Sequence, residues 1–200
     1  MYVPAYSRVE DEAVCWALMR EFNFALLVTA PDGVPFATSV PFTVNEASRH
    51  LSTHVARANP QWQHLEPDRE VLVVFQGEHA FVSPRWYEAK EAVPTWNYAT
   101  VHAYALPRLL QGEELQAQLE ALMAMHAHTS DMQGLSEPYL ERMRRAIVGI
   151  ELTVTRLEGK LKLSQNRSAS DQGSVAARLE QGNELEQGVA ARMNTNLEPR

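Results

Sequence analysis

The chain has 200 residues, 45% hydrophobic and 22% charged, a balance that excludes wholesale disorder and supports one domain with a sizeable core. Its 25 acidic and 18 basic side chains leave a formal charge of −7, and both halves are acidic, which argues against a DNA-wide basic surface. The single cysteine, Cys15, excludes an intrachain disulfide and a multi-cysteine zinc site and suits a cytoplasmic protein, and no apolar run approaches the ~20 residues of a membrane span.

Residues 10–22 read as a helix: acidic side chains crowd its start, where the helix dipole favours them, and Val14, Leu18 and Phe22 recur at a helical interval. Residues 24–30 and 36–44 read as two strands of a hairpin, joined by the turn Pro31-Asp32-Gly33. A third strand starts near Leu51 and runs to Val55. A short helix is predicted over residues 58–65, with Asn59 as its cap and Pro60 in its first turn. Residues 70–76 form a fourth strand and 80–83 a fifth, separated by a break at Gly77. A stretch rich in aromatics and prolines follows, and then a long strand over 97–110, weakened at Pro107.

Helices are expected at 113–128 and 137–145, the second with Pro138 in its first turn, followed by a strand over 147–157. The tail from Asp171 to Met193 is helical in composition, though Gly173, Gly182 and Gly188 weaken it. Strands joined by hairpins and only occasionally by helices argue for an α+β fold, an antiparallel barrel of about six strands with peripheral helices.

Glycine-rich phosphate loops and a nucleophile elbow are absent. His126 and His128 lie two apart in a helix and face different ways, whereas His50 and His54 share a face of the third strand if it begins early. Neither pair has partners at metal-ligand spacing, so no metal is expected. Three segments carry the chemistry that remains. In residues 53–62 a strand ends, Arg57 appears and a helix begins: an anion site for a phosphate, or equally a capped helix beside an exposed arginine. Residues 160–167 supply Lys160, Lys162, Ser164, Gln165, Asn166 and Arg167 with no acid among them, donors suited to a phosphate or the edge of a flavin, or to an ordinary polar loop. Trp96 and Asn97 offer a stacking surface beside an amide, although aromatics are more often core. Between Arg142 and Arg167 seven basic residues face two acidic ones, a surplus that fits a small anion or a solvated face.

Taken together these segments resemble the PaiB-type family of FMN-binding negative transcriptional regulators. The resemblance is carried by Ala37-Thr38 with Pro41, His54 through Trp62, Phe75-Gln76-Gly77, Val82 through Tyr87, Val93 through Tyr98 with Val101-His102, and Lys162 through Arg167. It departs from the family pattern at Thr53 and near Ala105, where glycines are common, and fits less closely after Arg167. It implies an antiparallel FMN-binding split barrel over 1–167, a C-terminal helical extension over 168–200, and a homodimer. FMN is the implied cofactor. Arg57 is implied as holder of the flavin phosphate with Asn59 nearby. Thr38, Ser39, His54 and Gln76 stand where similar barrels approach the flavin ring, and Lys162, Gln165, Asn166 and Arg167 add polar contacts, with Trp96 and Asn97 chosen for the specificity of their motif.

Two functions compete: a flavin-binding regulator without turnover, and a flavin-dependent reductase or oxidase of the split-barrel class, in which the flavin itself carries the redox chemistry. No acid–base pair in the sequence names a substrate. The acidic balance and the lack of a helix-turn-helix pattern argue against direct DNA binding. A haem reading would need an axial ligand such as His54, His79 or His102, and no spacing favours one.

Overall fold

The computed structural model describes residues 1–89, 91–126 and 134–197. Its strands are β1 (Phe24–Thr29), β2 (Phe36–Pro41), β3 (Thr43–Asn45), β4 (His50–Ala56), β5 (Val71–Val82), β6 (Thr95–Leu110) and β7 (Ile147–Lys162). Its helices are α1 (Glu12–Glu21), α2 (Gly112–His126), α3 (Glu137–Arg145), α4 (Ala169–Leu179) and α5 (Glu184–Leu197). The strands form one antiparallel sheet in the order β2-β1-β5-β6-β7-β4-β3, which makes the fold α+β with seven strands rather than six. The described residues divide into two compact units, one of Met1–Leu18, Gln76–Val101 and Glu158–Arg200, the other of Met19–Phe75 and His102–Leu157. We refer to them as the tail unit and the hairpin unit.

In the hairpin unit, β1 and β2 pair in the register Leu26↔Ser39 and Leu27↔Thr38, around the turn that Pro31, Asp32 and Gly33 supply. Asp32 and Gly33 both take positive φ there, which glycine tolerates freely and aspartate more readily than most residues. The single strand predicted over 36–44 is instead two, β2 and β3. Phe42 leaves the ladder because its N–H bonds the Asn23 carbonyl at 2.8 Å while the Asn23 amide returns a bond to the Phe42 carbonyl at 3.2 Å. Its ring, fully buried, packs 5.7 Å from that of Phe75. The Thr53 hydroxyl on β4 donates to the Pro41 carbonyl at 2.6 Å, so the edge strand β2 meets β4, the strand next to the opposite edge, at this corner. Leu27, Leu51, Val73, Ile150 and Leu152 complete a core of fully buried side chains, each contributing ~1.5–3 kcal/mol by burial.

β5 runs unbroken through Gly77, correcting the predicted break, because this glycine takes no positive φ and continues the extended backbone of the strand. β7 continues past the predicted end at 157 to Lys162, and β6 carries Pro107 within it. The helix predicted over 58–65 is a five-residue 3-10 helix, Pro60–His64, capped by the Asn59 side chain, which accepts from the Gln61 N–H. α2 is described as far as His126, so the remainder of the helix predicted to 128, the side chain of His126 and all of His128 lie outside the described residues.

In the tail unit the helical composition of residues 171–193 takes the form of two helices, α4 and α5, with Gly182 between them. Asn183 and Glu186 cap each other across the intervening turn at 2.8 and 3.1 Å, a reciprocal pair that starts a new helix. Their apolar faces, through Val175, Ala176, Leu179, Val189, Ala190 and Met193, close a core with Val82, Tyr87 and Leu163.

Candidate functional site

In the hairpin unit β4 ends at Ala56, and Arg57 stands at the mouth of a groove of about 690 Å³. The groove is lined by Trp62, Gln116, Glu141, Arg144 and Arg145 among others. Arg57 is not a free cation. Its Nε donates to the Arg145 carbonyl at 2.8 Å and its Nη2 to the Ile147 carbonyl at 2.9 Å, which seats the guanidinium on the C-terminal end of α3, where a positive charge complements the helix dipole. The Trp62 indole N–H closes the turn by donating to the Arg57 carbonyl at 3.0 Å. The helix start expected beside Arg57 is a short 3-10 helix, and its capping acceptor is already supplied by Asn59.

The Asn59 amide also donates to the Thr38 hydroxyl at 3.0 Å, so two of the predicted residues are joined. Thr38 pairs with the fully buried Leu27 and faces inward, whereas Ser39 pairs with Leu26 on the outer face. That face carries Phe24 at 65% exposure and Leu26 at 40%. His54 shares a face of β4 with His50, as the early strand start requires. Burial holds its imidazole below the ordinary histidine range, with Gln118 of α2 opposing the shift, and its Nδ1 is buried without a hydrogen-bond partner among the described residues.

The remaining predicted residues belong to the tail unit. Asn97 is wholly buried, and its amide is used by Ser164 at 3.1 Å and the Met193 sulfur at 3.4 Å, so it ties β6 to the tail rather than facing a ligand. Gln165 is folded back on its own loop, accepting from the Leu163 N–H at 2.7 Å and donating to the Leu161 carbonyl. Arg167 lies 4.7 Å over the Tyr87 ring. Gln76 and Asn166 are exposed. Trp96, 53% exposed, meets the rings of His79 and Phe81. Lys162 donates to the Thr95 hydroxyl at 2.7 Å and to the Trp96 carbonyl, and burial with the neighbouring Lys160 charge lowers its pKa.

Trp96 and Lys162 line a cavity of about 450 Å³ with Tyr2, Tyr6, Tyr98 and Lys160. Lys160 is 8% exposed and its ammonium sits between the rings of Tyr2 and Tyr98, at 5.6 and 5.3 Å. Sequence reading counted Lys160 among the donors of residues 160–167, but the family resemblance implied no role for it, and the N-terminal tyrosines were not singled out. The alternation of Lys160 and Lys162 with leucines pointed to a strand, but not to what that strand faces. Of the basic surplus between Arg142 and Arg167, Arg144 and Arg145 are paired with Glu141 in the hairpin unit, and Lys160, Lys162 and Arg167 belong to the tail unit.

Residues 1–156 match the family described as "Putative FMN-binding domain". The chain belongs to this family. It is 36% identical over 186 residues to "Protease synthase and sporulation protein PAI 2" of Bacillus subtilis, a match that covers 90% of this chain and 89% of that one. It is 31% identical over 229 residues to a protein of Emericella nidulans, with 90% of each chain covered. Among solved structures, the flavocytochrome Anf3 from Azotobacter vinelandii superposes with a TM-score of 0.63 at 16% identity, over 80% of this chain and 72% of that one. The FAD and haem binding protein from Mycobacterium smegmatis gives 0.63 at 14%, over 83% and 78%. At these identities the likeness shows the fold, an antiparallel split β-barrel. FMN is the cofactor of this FMN-binding domain. The Arg57 groove has room for it, since 690 Å³ lies within the usual size of a cofactor site; of the three guanidiniums that line it, those of Arg144 and Arg145 are paired with Glu141, while that of Arg57 bonds backbone carbonyls. Among the described residues no helix is long and apolar enough to cross a membrane.

Proposed function

We propose that the protein is a flavin-holding regulator of the PaiB type, which binds FMN without turning it over. The observation that carries this reading is the 36% identity, over 90% of the chain, to the Bacillus subtilis protein named for protease synthesis and sporulation. FMN when bound supplies redox chemistry at its ring. What the chain's own residues supply is a seat for it. Arg57 is the phosphate anchor: with Nε fixed on the last α3 carbonyl and Nη2 on the first carbonyl of β7, the guanidinium is held in one orientation in the lining of the groove, so little entropy is lost on meeting an anion. Asn59 and Thr38 brace that corner, with Ser39 next to Thr38 on β2 and His54 on β4. In the tail unit Lys162 and Trp96 supply a cation and a stacking ring, Gln76, Asn166 and Arg167 supply exposed or half-exposed donors, and Asn97 and Gln165 act by holding the strand and loop that present them.

The same reading takes the chain as a cytoplasmic homodimer, with 168–200 as an extension of the flavin domain. The exposed apolar face of Phe24 and Leu26 supports a self-association surface. The acidic balance supports regulation without tight direct DNA contact. One experiment tests the reading. Purified protein is expected to show a flavin absorbance spectrum that persists through mixing with NADH or NADPH in a stopped-flow cell. Rapid bleaching would replace the regulator by a reductase. Failure to take up FMN at all would remove both.

A further inference from the structure

The cavity of about 450 Å³ in the tail unit is walled by aromatic rings and holds two cations. Tyr2, Tyr6, Trp96 and Tyr98 supply the rings, Lys160 and Lys162 reach it from β7, and no carboxylate is among its lining residues. Its volume lies within the range of small-molecule sites, which are mostly apolar with a few placed polar groups. The N-terminal segment is tied to the same strand: Arg8 pairs with Lys160 in an antiparallel bridge, and the Val9 N–H donates to the Gly159 carbonyl at 3.1 Å. Backbone bonds therefore fix the rim, and the whole lining belongs to one unit.

Lys160 decides what this cavity takes. A lysine is rarely buried unless an acid pairs with it, yet Lys160 is buried and makes no ion pair among the described residues. Glu158, two positions before it, accepts instead from the Met1 ammonium. Of the three N–H bonds of the Lys160 ammonium one goes to the Tyr2 carbonyl, at 3.2 Å. The rings of Tyr2 and Tyr98, at 5.6 and 5.3 Å, offset only part of the cost of taking its charge from water. Lys162 spends two of its N–H bonds, on the Thr95 hydroxyl and the Trp96 carbonyl, and it too has no ion pair among the described residues. Two ammonium groups at alternate positions of one strand, with no acid in the lining, match an anion, and the rings around them match an aromatic body behind it.

We propose that this cavity is a second ligand site, which takes a small aromatic anion: the ring lies among the tyrosines and Trp96, and its carboxylate or phosphate meets the ammonium groups of Lys160 and Lys162. The flavin reading uses Lys162 and Trp96 but neither Lys160 nor the tyrosines. A role for this ligand as the regulator's signal rests on that reading; its binding does not. The test is a ligand-observed saturation-transfer NMR titration of the full chain. Benzoate and phenyl phosphate are the probes, benzamide the uncharged isostere of benzoate, and acetate an anion without a ring. Two variants accompany it: Lys160→Met, which removes the charge and keeps an unbranched side chain, and Tyr2→Glu, which sets a carboxylate beside Lys160 from an exposed position. At least one aromatic anion is expected to bind the wild type, roughly tenfold or more tighter than benzamide and acetate, and both substitutions are expected to weaken it by a similar factor. Lys160→Met is expected to leave the affinity for FMN unchanged. Circular dichroism checks the fold of both variants, and Tyr2→Glu carries the test alone where Lys160→Met does not fold. No binding of either aromatic anion at about 10 mM, binding of benzamide or acetate as strong as theirs, an unchanged affinity in either folded variant, or an equal loss of FMN in Lys160→Met would overturn the proposal. Failure of the wild type to take up FMN, with the aromatic anion still bound, would remove the flavin reading and support a site independent of it.

Discussion

His54 sits under α2 with its imidazole neutral in the fold, chiefly because burial disfavours the charged form. In the unfolded chain the same ring takes a proton near its ordinary pKa of about 6.5. The depressed folded value therefore contributes stability that is fully present above pH 6.5 and is lost as the pH falls below it. The thermal midpoint of the wild type should drop further between pH 7.5 and pH 5.5 than that of His54→Gln, which cannot take the proton. Parallel drops would show that His54 titrates normally in the folded protein. Arg57 gives a second residue-scale prediction, because its guanidinium has two possible duties. As a phosphate anchor it makes a charge-assisted contact worth ~1.5–3 kcal/mol, so Arg57→Ala should weaken FMN roughly ten- to a hundredfold and leave riboflavin, which lacks the phosphate, nearly unchanged. As a clasp on the Arg145 and Ile147 carbonyls alone, its loss would weaken both ligands alike. Fluorescence titration of the two flavins separates these outcomes.

At the scale of elements, β7 is shaped by two glycines that allow close packing. A β-carbon on Gly159 would lie 2.5 Å from the Cys15 sulfur and 2.8 Å from the Val9 β-carbon, and one on Gly149 would lie 2.7 Å from Leu115 of α2. The end of a leucine side chain can swing aside, but the Val9 β-carbon moves only with its backbone. Gly159→Ala should therefore destabilise by ~1–3 kcal/mol through overpacking. Gly173→Ala is the converse: open space surrounds that position in α4, so the substitution should stabilise by ~0.5–1 kcal/mol through helix propensity. Urea unfolding midpoints of the two variants should move in opposite directions. The burial of Cys15 behind Gly159, with Glu12 and Asp11 near it, pushes its thiol up to about 11 and marks it as a core residue. The element pattern was largely legible, since α1, β1 and α3 follow from local periodicity and capping. Where it was not, as at Phe42, a partner distant in sequence overrode the local preference.

For the whole molecule, the open question of assembly rests on β1 and its neighbours. Phe24 and Leu26 stand exposed on one face, paired with Pro41 and Ser39, and Leu26 is paired again with Val74 on the other side. A patch of this kind is usually covered in solution. If a second copy covers it, Leu26→Glu should convert the protein from dimer to monomer in sedimentation at micromolar concentration while leaving the far-ultraviolet circular dichroism intact. A wild type that sediments as a monomer would remove the homodimer.

The sequence by itself determined the class of fold and the membership of an FMN-binding family. These depend on composition, on periods of two and 3.6 residues, and on motifs whose members lie within a few positions of one another. Only the tertiary structure decided what each side chain spends its hydrogen bonds on. Arg57 reads in sequence as an unpaired cation, yet its partners are carbonyls 88 and 90 residues away. Asn97 reads as a ligand amide and is consumed by Ser164, 67 residues on. Gln118 reads as an ordinary polar helix position and is buried with its amide unmet. Hydrogen bonds are directional and short in range, so their partners are set by which strands the fold brings side by side, and that is not written in any local stretch of the chain.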